Sequence, residues 1–171
     1  GAGGYEAAAD YVVSHPRGAS VLFSGDVDTG FFVFFVRKHD AERRLIVLRS
    51  DKLLTTSQMS LVAAEDRIHD ASEIAPLLST LGVGYVVIED RPSTSHVLES
   101  LRSEMRSTRY IERLRVPVDS TDRRLRGTSL IVYEVPAGLP SAGARVDLRL
   151  PVVSREVNVS FADLLKRKYF H

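Results

Sequence analysis

Three short apolar runs that show no polar alternation constrain the fold of this chain more than any other feature. They occupy residues 21–23, 45–48 and 83–88, and a polar stretch follows each of them directly. Strands that are buried on both faces read as continuous apolar runs, whereas strands with one face in water alternate. Three runs of this kind are typical of a parallel sheet that helices cover on both sides.

Helical patterns separate these runs. Apolar residues at helical spacing predict a first helix over residues 5–14. The apolar run at 31–36 is interpreted as the buried start of a second helix, because a strand there would need a reversal within the preceding loop. Two further helical faces lie at residues 74–81, which Gly82 terminates, and at residues 97–105.

The pattern changes to a period of two in the C-terminal part of the chain. Residues 110–135 predict two antiparallel strands that the charged loop 119–127 joins, and residues 146–150 alternate in the same way. A capping box at residues 160–163 predicts a final helix, while residues 53–70 read as a connection with at most one short strand. The predicted fold is α/β, with a doubly wound, mostly parallel sheet flanked by helices and with antiparallel C-terminal strands.

Length and composition limit the classes of function. The 171 residues suggest one soluble domain that spans residues 1–171. The chain has 23 Lys plus Arg against 22 Asp plus Glu, so its net charge of +1 gives no basic field for nucleic acid. The longest apolar runs are far shorter than the roughly 20 residues of a membrane helix, so we expect no direct membrane span.

The sequence also argues against several kinds of catalytic and cofactor site. There is no cysteine, which excludes disulfides, thiolate zinc sites and iron–sulfur clusters within this sequence. The five histidines have no metal-ligand spacing, and the chain carries neither a nucleotide P-loop nor a nucleophile elbow. We therefore expect no cofactor, no resident metal and no catalytic residue that the sequence pattern can identify.

Acidic residues follow the first and third apolar runs. Because ligands bind beyond the carboxyl ends of strands in open α/β sheets, these loops are candidate sites. Asp26 and Asp28 form an Asp-x-Asp pattern that could hold a divalent metal, although a turn at Asp26 and a helix cap at Asp28 would explain them as well. Glu89 and Asp90 could form an acid/base pair with either of them.

A mixed-charge cluster surrounds the second apolar run. Arg37 and Asp40 precede this run, and Arg49, Asp51 and Lys52 follow it. Arginine forks bind phosphate and carboxylate oxygens in pairs, so the cluster could hold an anionic group. The alternative interpretation is a solvated face in which Arg37 pairs with Asp40 and Arg49 pairs with Asp51.

Several segments together resemble a known family. They are GYEAA (4–8), VLFSG (21–25), FFVRKHD (34–40), RRLIVLRSDKLL (43–54) and YVVIED (85–90), followed by RLRG (124–127) and LRLP (148–151). This series is similar to the soluble C-terminal domain of bacterial membrane proteins of the glycosyltransferase family 39 type, the dolichyl-phosphate-mannose protein mannosyltransferase-like group. The resemblance covers nearly the whole chain but includes no catalytic signature.

The resemblance implies a multi-spanning enzyme that transfers a sugar from a polyprenyl-phosphate donor on the extracytoplasmic side of a bacterial membrane. It implies that this domain is a non-catalytic accessory to the membrane-embedded part of the same polypeptide, and that it binds a glycan or protein acceptor, binds a partner or covers the active site. The start at Gly1 without a methionine leads us to expect a piece of a longer protein. Two alternatives are a structural or assembly module and a stand-alone metal-dependent sugar-transfer or hydrolytic enzyme that uses Asp26 and Asp28.

Overall fold

The computed structural model describes residues 3–25, 30–50, 59–60, 74–137, 145–150 and 155–160. The helices in these ranges are α1 (Gly3–Ser14), α2 (Gly30–His39), α3 (Ile74–Thr80) and α4 (His96–Met105), with a 3-10 turn at Arg123–Leu125. The strands are β1 (Ser20–Ser24), β2 (Ile46–Arg49), β3 (Met59–Ser60), β4 (Val83–Glu89), β5 (Ile111–Pro117), β6 (Ser129–Glu134), β7 (Arg145–Leu150) and β8 (Arg155–Ser160).

The main sheet has five strands in the order β2-β1-β4-β6-β5. Strand β1 pairs in parallel with β2 and β4, whereas β6 runs antiparallel to both β4 and β5. The α/β class is therefore confirmed, and the C-terminal strands of this sheet are antiparallel. The prediction of a mostly parallel sheet is not confirmed, because the β5–β6 hairpin makes the sheet mixed.

A second sheet contains three strands in the order β3-β7-β8, and both of its pairings are antiparallel. The strand predicted at residues 146–150 is confirmed as β7. The final helix predicted from the capping box falls on residues 161–171, which lie outside the described part of the chain.

Helices cover both faces of the main sheet, as the apolar strands require. On one face, α1 and α2 pack over Val21 and Phe23, and on the other, α3 and α4 pack over Leu22 and Leu48. Successive residues of a strand point to opposite faces, so a run such as Val21-Leu22-Phe23 supplies both cores. The helical interpretation of residues 31–36 is confirmed by α2.

A bulge in β4 brings two backbone segments into direct contact. The β1–β4 register passes from Ser20 opposite Val83 to Val21 opposite Tyr85, so Gly84 is the additional residue. A Cβ atom built on Gly84 would lie 1.9 Å from the carbonyl oxygen of Arg17. Gly18, at φ +65°, would clash in the same way with the carbonyl oxygen of Gly82, at 2.5 Å. Only glycine allows this approach.

We expect Gly84→Ala to lower the free energy of unfolding by about 3 kcal/mol or more, since backbone rather than a flexible side chain fills the space. Gly3→Ala is the matched control, because nothing beyond its chain neighbours and its own helix backbone lies within 4 Å of the Cβ position at residue 3. Urea unfolding followed by circular dichroism measures both variants. Equal midpoints for Gly84→Ala and the unmodified chain would contradict the close approach.

Candidate functional site

The topology defines a switch point between β1 and β4. The chain leaves β1 for α2 on one face of the sheet, and it leaves β4 for α4 on the opposite face. Ligands in open α/β sheets bind beyond the carboxyl ends of the strands at such a point. The register places Ser24 opposite Ile88, so the next residues along the two strands, Gly25 and Glu89, stand at this position.

Glu89 is buried and held by a residue of the first helix. Its side chain is 3% exposed, and its Oε1 atom accepts a hydrogen bond of 2.7 Å from the hydroxyl of Tyr5, which is fully buried. A Cβ atom at residue 25 would lie 2.7 Å from Cδ and Oε1 of Glu89, so a larger residue there would displace the Glu89 carboxylate. Glu89 therefore fastens α1 and the end of β1 to the end of β4.

Asp90 takes part in an ion-pair network. Its carboxylate accepts hydrogen bonds from Arg102 at 3.0 Å and from Arg115 at 3.2 Å, and Arg102 also binds Glu99 at 2.9 Å. Burial raises the pKa of Asp90, but the hydrogen bonds from the two guanidinium groups outweigh it and leave the pKa below its ordinary value. Asp90 thus links the end of β4 to α4 and β5.

The end of β2 contributes Arg49 and Ser50 to the same edge of the sheet. Arg49 stands opposite Phe23 of β1, and Ser50 follows it with its side chain fully buried. The Ser50 hydroxyl has no hydrogen-bond partner among the residues that the structure describes. Four predicted site residues, namely Asp26, Asp28, Asp51 and Lys52, lie outside the described ranges.

Arg37 and Asp40 lie at the other end of the sheet. Asp40 is buried and accepts hydrogen bonds from the backbone amides of Arg44, at 3.1 Å, and Leu45, at 2.8 Å, so it shapes the turn that enters β2. Arg37 donates to the carbonyl of Leu45 at 3.3 Å, and the predicted Arg37–Asp40 ion pair is not formed. Because β2 is four residues long, about 13 Å separate this turn from Arg49.

The mixed-charge cluster is therefore two surfaces rather than one. We call the side of the sheet where the parallel strands β1, β2 and β4 begin the amino edge, and the side where they end the carboxyl edge. Arg37 and Asp40 belong to the amino edge, and Arg49 belongs to the carboxyl edge with Glu89 and Asp90. The proximity of these residues in the sequence suggested one anion-binding cluster, but a strand that crosses the sheet carries its two ends to opposite edges.

Sequence reasoning missed a further feature at the amino edge. Cavities of about 370, 340 and 330 Å³ lie there, and Arg17 lines all three. The sequence around Arg17 indicated only the end of the first helix, because Pro16 and Gly18 flank it. No periodicity marks a single arginine in a loop as the centre of a groove.

In the described ranges, no group of three or more His, Asp or Glu side chains could hold a metal ion. None of the described helices combines the length and the hydrophobicity of a membrane-spanning segment. Comparisons with protein-family models, curated proteins and solved structures found no match to this chain. A functional assignment therefore starts from the groups at the two edges of the sheet.

We expect Tyr5→Phe to lower the free energy of unfolding by about 1–3 kcal/mol, because it removes a hydrogen bond from a buried carboxylate. Tyr11→Phe is the matched control: it lies on the same helix, and its hydroxyl makes no hydrogen bond with the described residues. Thermal unfolding compares the two. A similar loss of unfolding free energy in both variants would argue against the Tyr5–Glu89 contact.

The stability that Asp90 contributes should depend on pH. A carboxyl whose pKa is depressed in the folded state stabilises the protein above its unfolded pKa of about 3.9, and this contribution is lost as the pH falls through the folded value. The difference in unfolding free energy between the unmodified chain and Asp90→Asn should be constant from about pH 7 to 5 and shrink below about pH 4.

Arg115→Gln is the second variant for this measurement. It removes one of the two guanidinium groups, so the Asp90 contribution should disappear at a higher pH in this background. Denaturant titrations at several pH values supply both comparisons. A gap between the unmodified chain and Asp90→Asn that does not change with pH would contradict the assigned pKa shift.

Proposed function

We propose that this chain is a non-catalytic accessory domain of a bacterial membrane glycosyltransferase that uses polyprenyl-phosphate sugars. The domain stands at the extracytoplasmic, periplasmic face of the membrane. There it binds an acceptor or a partner, or covers the active site of the membrane-embedded part of the same polypeptide. The family resemblance of the segments between residues 4 and 151 supports the parent enzyme class, and the α/β fold is compatible with it.

The observation that carries the non-catalytic role is the engagement of Glu89 and Asp90, the two acids that the structure describes at the switch point. A general acid or base must reach the substrate within hydrogen-bond distance. Glu89 is almost fully buried against Tyr5, and two guanidinium groups hold Asp90. Such contacts fix the ends of strands and helices. They suit a binding surface better than a catalytic one.

The working surface in this proposal is the carboxyl edge around Arg49, together with Asp51 and Lys52, which follow it in sequence. Arg49 stands at the end of a strand whose backbone the sheet holds in place, so its position is defined. Guanidinium and ammonium groups suit phosphate and carboxylate oxygens of a glycan or lipid-linked sugar. Asp26 and Asp28, which follow β1 in sequence, remain candidate contacts.

Charge reversal tests this surface in the full-length protein. Arg49→Glu combined with Lys52→Glu should reduce sugar transfer by about tenfold or more, equivalent to roughly 1.4 kcal/mol. Arg106→Glu is the matched control, because Arg106 is exposed at the end of α4 and away from this edge. An antibody against the domain checks in the same membranes that each variant accumulates normally.

Probing the membrane and soluble fractions of native cells with the same antibody discriminates between the candidate functions. A membrane-bound band far above 19 kDa supports the accessory domain, and a soluble band near 19 kDa overturns it and favours an independent activity at Asp26 and Asp28. Transfer that is unchanged by charge reversal, in a membrane-bound protein, would favour a structural or assembly module instead.

A further inference from the structure

Arg17 stands where three cavities meet at the amino edge of the sheet. The cavity of about 370 Å³ extends from Arg17 along the end of α2 to Leu45, the one of about 340 Å³ toward Val135, and the one of about 330 Å³ toward Tyr11. We call this combined surface the Arg17 groove. Each volume lies near the lower end of the range for small-molecule sites, which suits one sugar-sized ligand.

The structure holds Arg17 in a fixed position. Its Nε atom donates a hydrogen bond of 2.9 Å to the carbonyl of Val135, and its own carbonyl packs against Gly84 in the bulge of β4. Its two terminal nitrogens make no hydrogen bond or ion pair with any described residue. The hydrogen bond at Nε fixes the orientation of this half-buried guanidinium, and the terminal nitrogens stay available as donors. Such a group suits a ligand with two acceptor oxygens.

The acidic side chains of the groove are engaged elsewhere. Asp40 accepts from two backbone amides, and Glu42 forms an ion pair with Arg44 on the rim. Glu134 forms an ion pair of 3.2 Å with Arg113. None of these three acids pairs with Arg17, so its positive charge can bind a ligand. A carboxylate or a phosphate is the group that suits it.

Aromatic rings form the wall beside Arg17. Tyr11 and His15 stack with ring centroids 4.2 Å apart, and His15 is exposed. Tyr85 meets Tyr11 edge-on at 5.9 Å and donates a hydrogen bond of 2.6 Å to the carbonyl of His15, which holds the wall in place. A flat apolar surface next to a guanidinium suits a ligand that has both a ring and an anionic group.

We propose that the Arg17 groove binds a sugar unit that carries a carboxylate or a phosphate. The terminal nitrogens of Arg17 bind the anionic oxygens as a pair, and the sugar ring lies against the Tyr11–His15 wall. This site is separate from the carboxyl edge around Arg49, and the inference depends only on the groove, whatever the parent protein does.

The test uses the 171-residue chain, labelled with ¹⁵N, and four probes: glucuronate, glucose 1-phosphate, glucose and inorganic phosphate. At least one anionic sugar should bind saturably and shift the amide signals of His15, Arg17, Gly18 and Gly84. Glucose and inorganic phosphate should each bind at least about tenfold more weakly, since each lacks half of the recognised chemistry. A preference for glucuronate assigns a carboxylate ligand, and a preference for glucose 1-phosphate assigns a phosphate ligand.

Two matched variants locate the interaction. Arg17→Lys keeps the charge but loses the paired donors, and it should weaken binding by about tenfold, equivalent to roughly 1.4 kcal/mol. Arg44→Lys, on the exposed rim of the same groove, should change the affinity by less than about twofold, because Arg44 pairs with Glu42. If Arg17→Lys does not fold, the shift map of the unmodified chain decides the location alone.

Three results would overturn the proposal. The first is no saturable binding of either anionic sugar at millimolar concentrations. The second is inorganic phosphate binding as tightly as the sugars, which would leave a general anion site. The third is a shift map centred on Ser24 and Glu89, which would place the ligand at the carboxyl edge. None of these results bears on the fractionation of the full-length protein, so the two proposals fail independently.

Discussion

The contact between the residue 17–18 backbone and the bulge at Gly84 sets the alignment on which the rest of the main sheet depends. The bulge inserts Gly84 into β4 between the residues that pair with Ser20 and Val21 of β1. As a result, Ser24 pairs with Ile88 and Gly25 stands beside Glu89. A register one residue different would turn the side chains of β4 to the opposite faces and remove Glu89 from Tyr5. The same contact fixes Arg17 at the amino edge. A single local irregularity in the backbone therefore positions groups at both ends of the sheet.

The two edges of the sheet differ in what their charged groups do. At the carboxyl edge, Glu89 and Asp90 hold α1, α4 and β5 in place through contacts with Tyr5, Arg102 and Arg115. At the amino edge, the acids are engaged with the backbone and with rim arginines, and Arg17 faces open cavities. Ligands bind beyond the carboxyl ends of strands because the loops there diverge and leave a crevice. Here the turns that enter β1, β2 and β4 also diverge, and they leave a second set of cavities at the amino edge.

The sequence predicts the elements of the main sheet well, because burial on both faces leaves a local signature. The runs at 21–23 and 83–88 became β1 and β4, and α2 follows from the run at 31–36. The position of β6 between β4 and β5 was not predictable, since a period of two reveals a strand but not its neighbours. The Tyr5–Glu89 hydrogen bond joins residues 84 positions apart, so helical periodicity identified Tyr5 only as a core residue.

The separation of the two edges gives the two proposals a common geometry. Strand β4 has seven residues and spans about 20 Å, so a ligand in the Arg17 groove and a partner at the Arg49 edge would not compete for the same atoms. Under the two proposals together, one end of the domain holds a sugar-bearing molecule while the other end faces the membrane-embedded enzyme. Coupling between the ends would require a rigid connection, and the main sheet supplies one, because each of its five strands is hydrogen-bonded to its neighbours in the order β2-β1-β4-β6-β5. Under these proposals, binding at either end positions the ligand relative to the proposed enzyme without any change in the shape of the sheet.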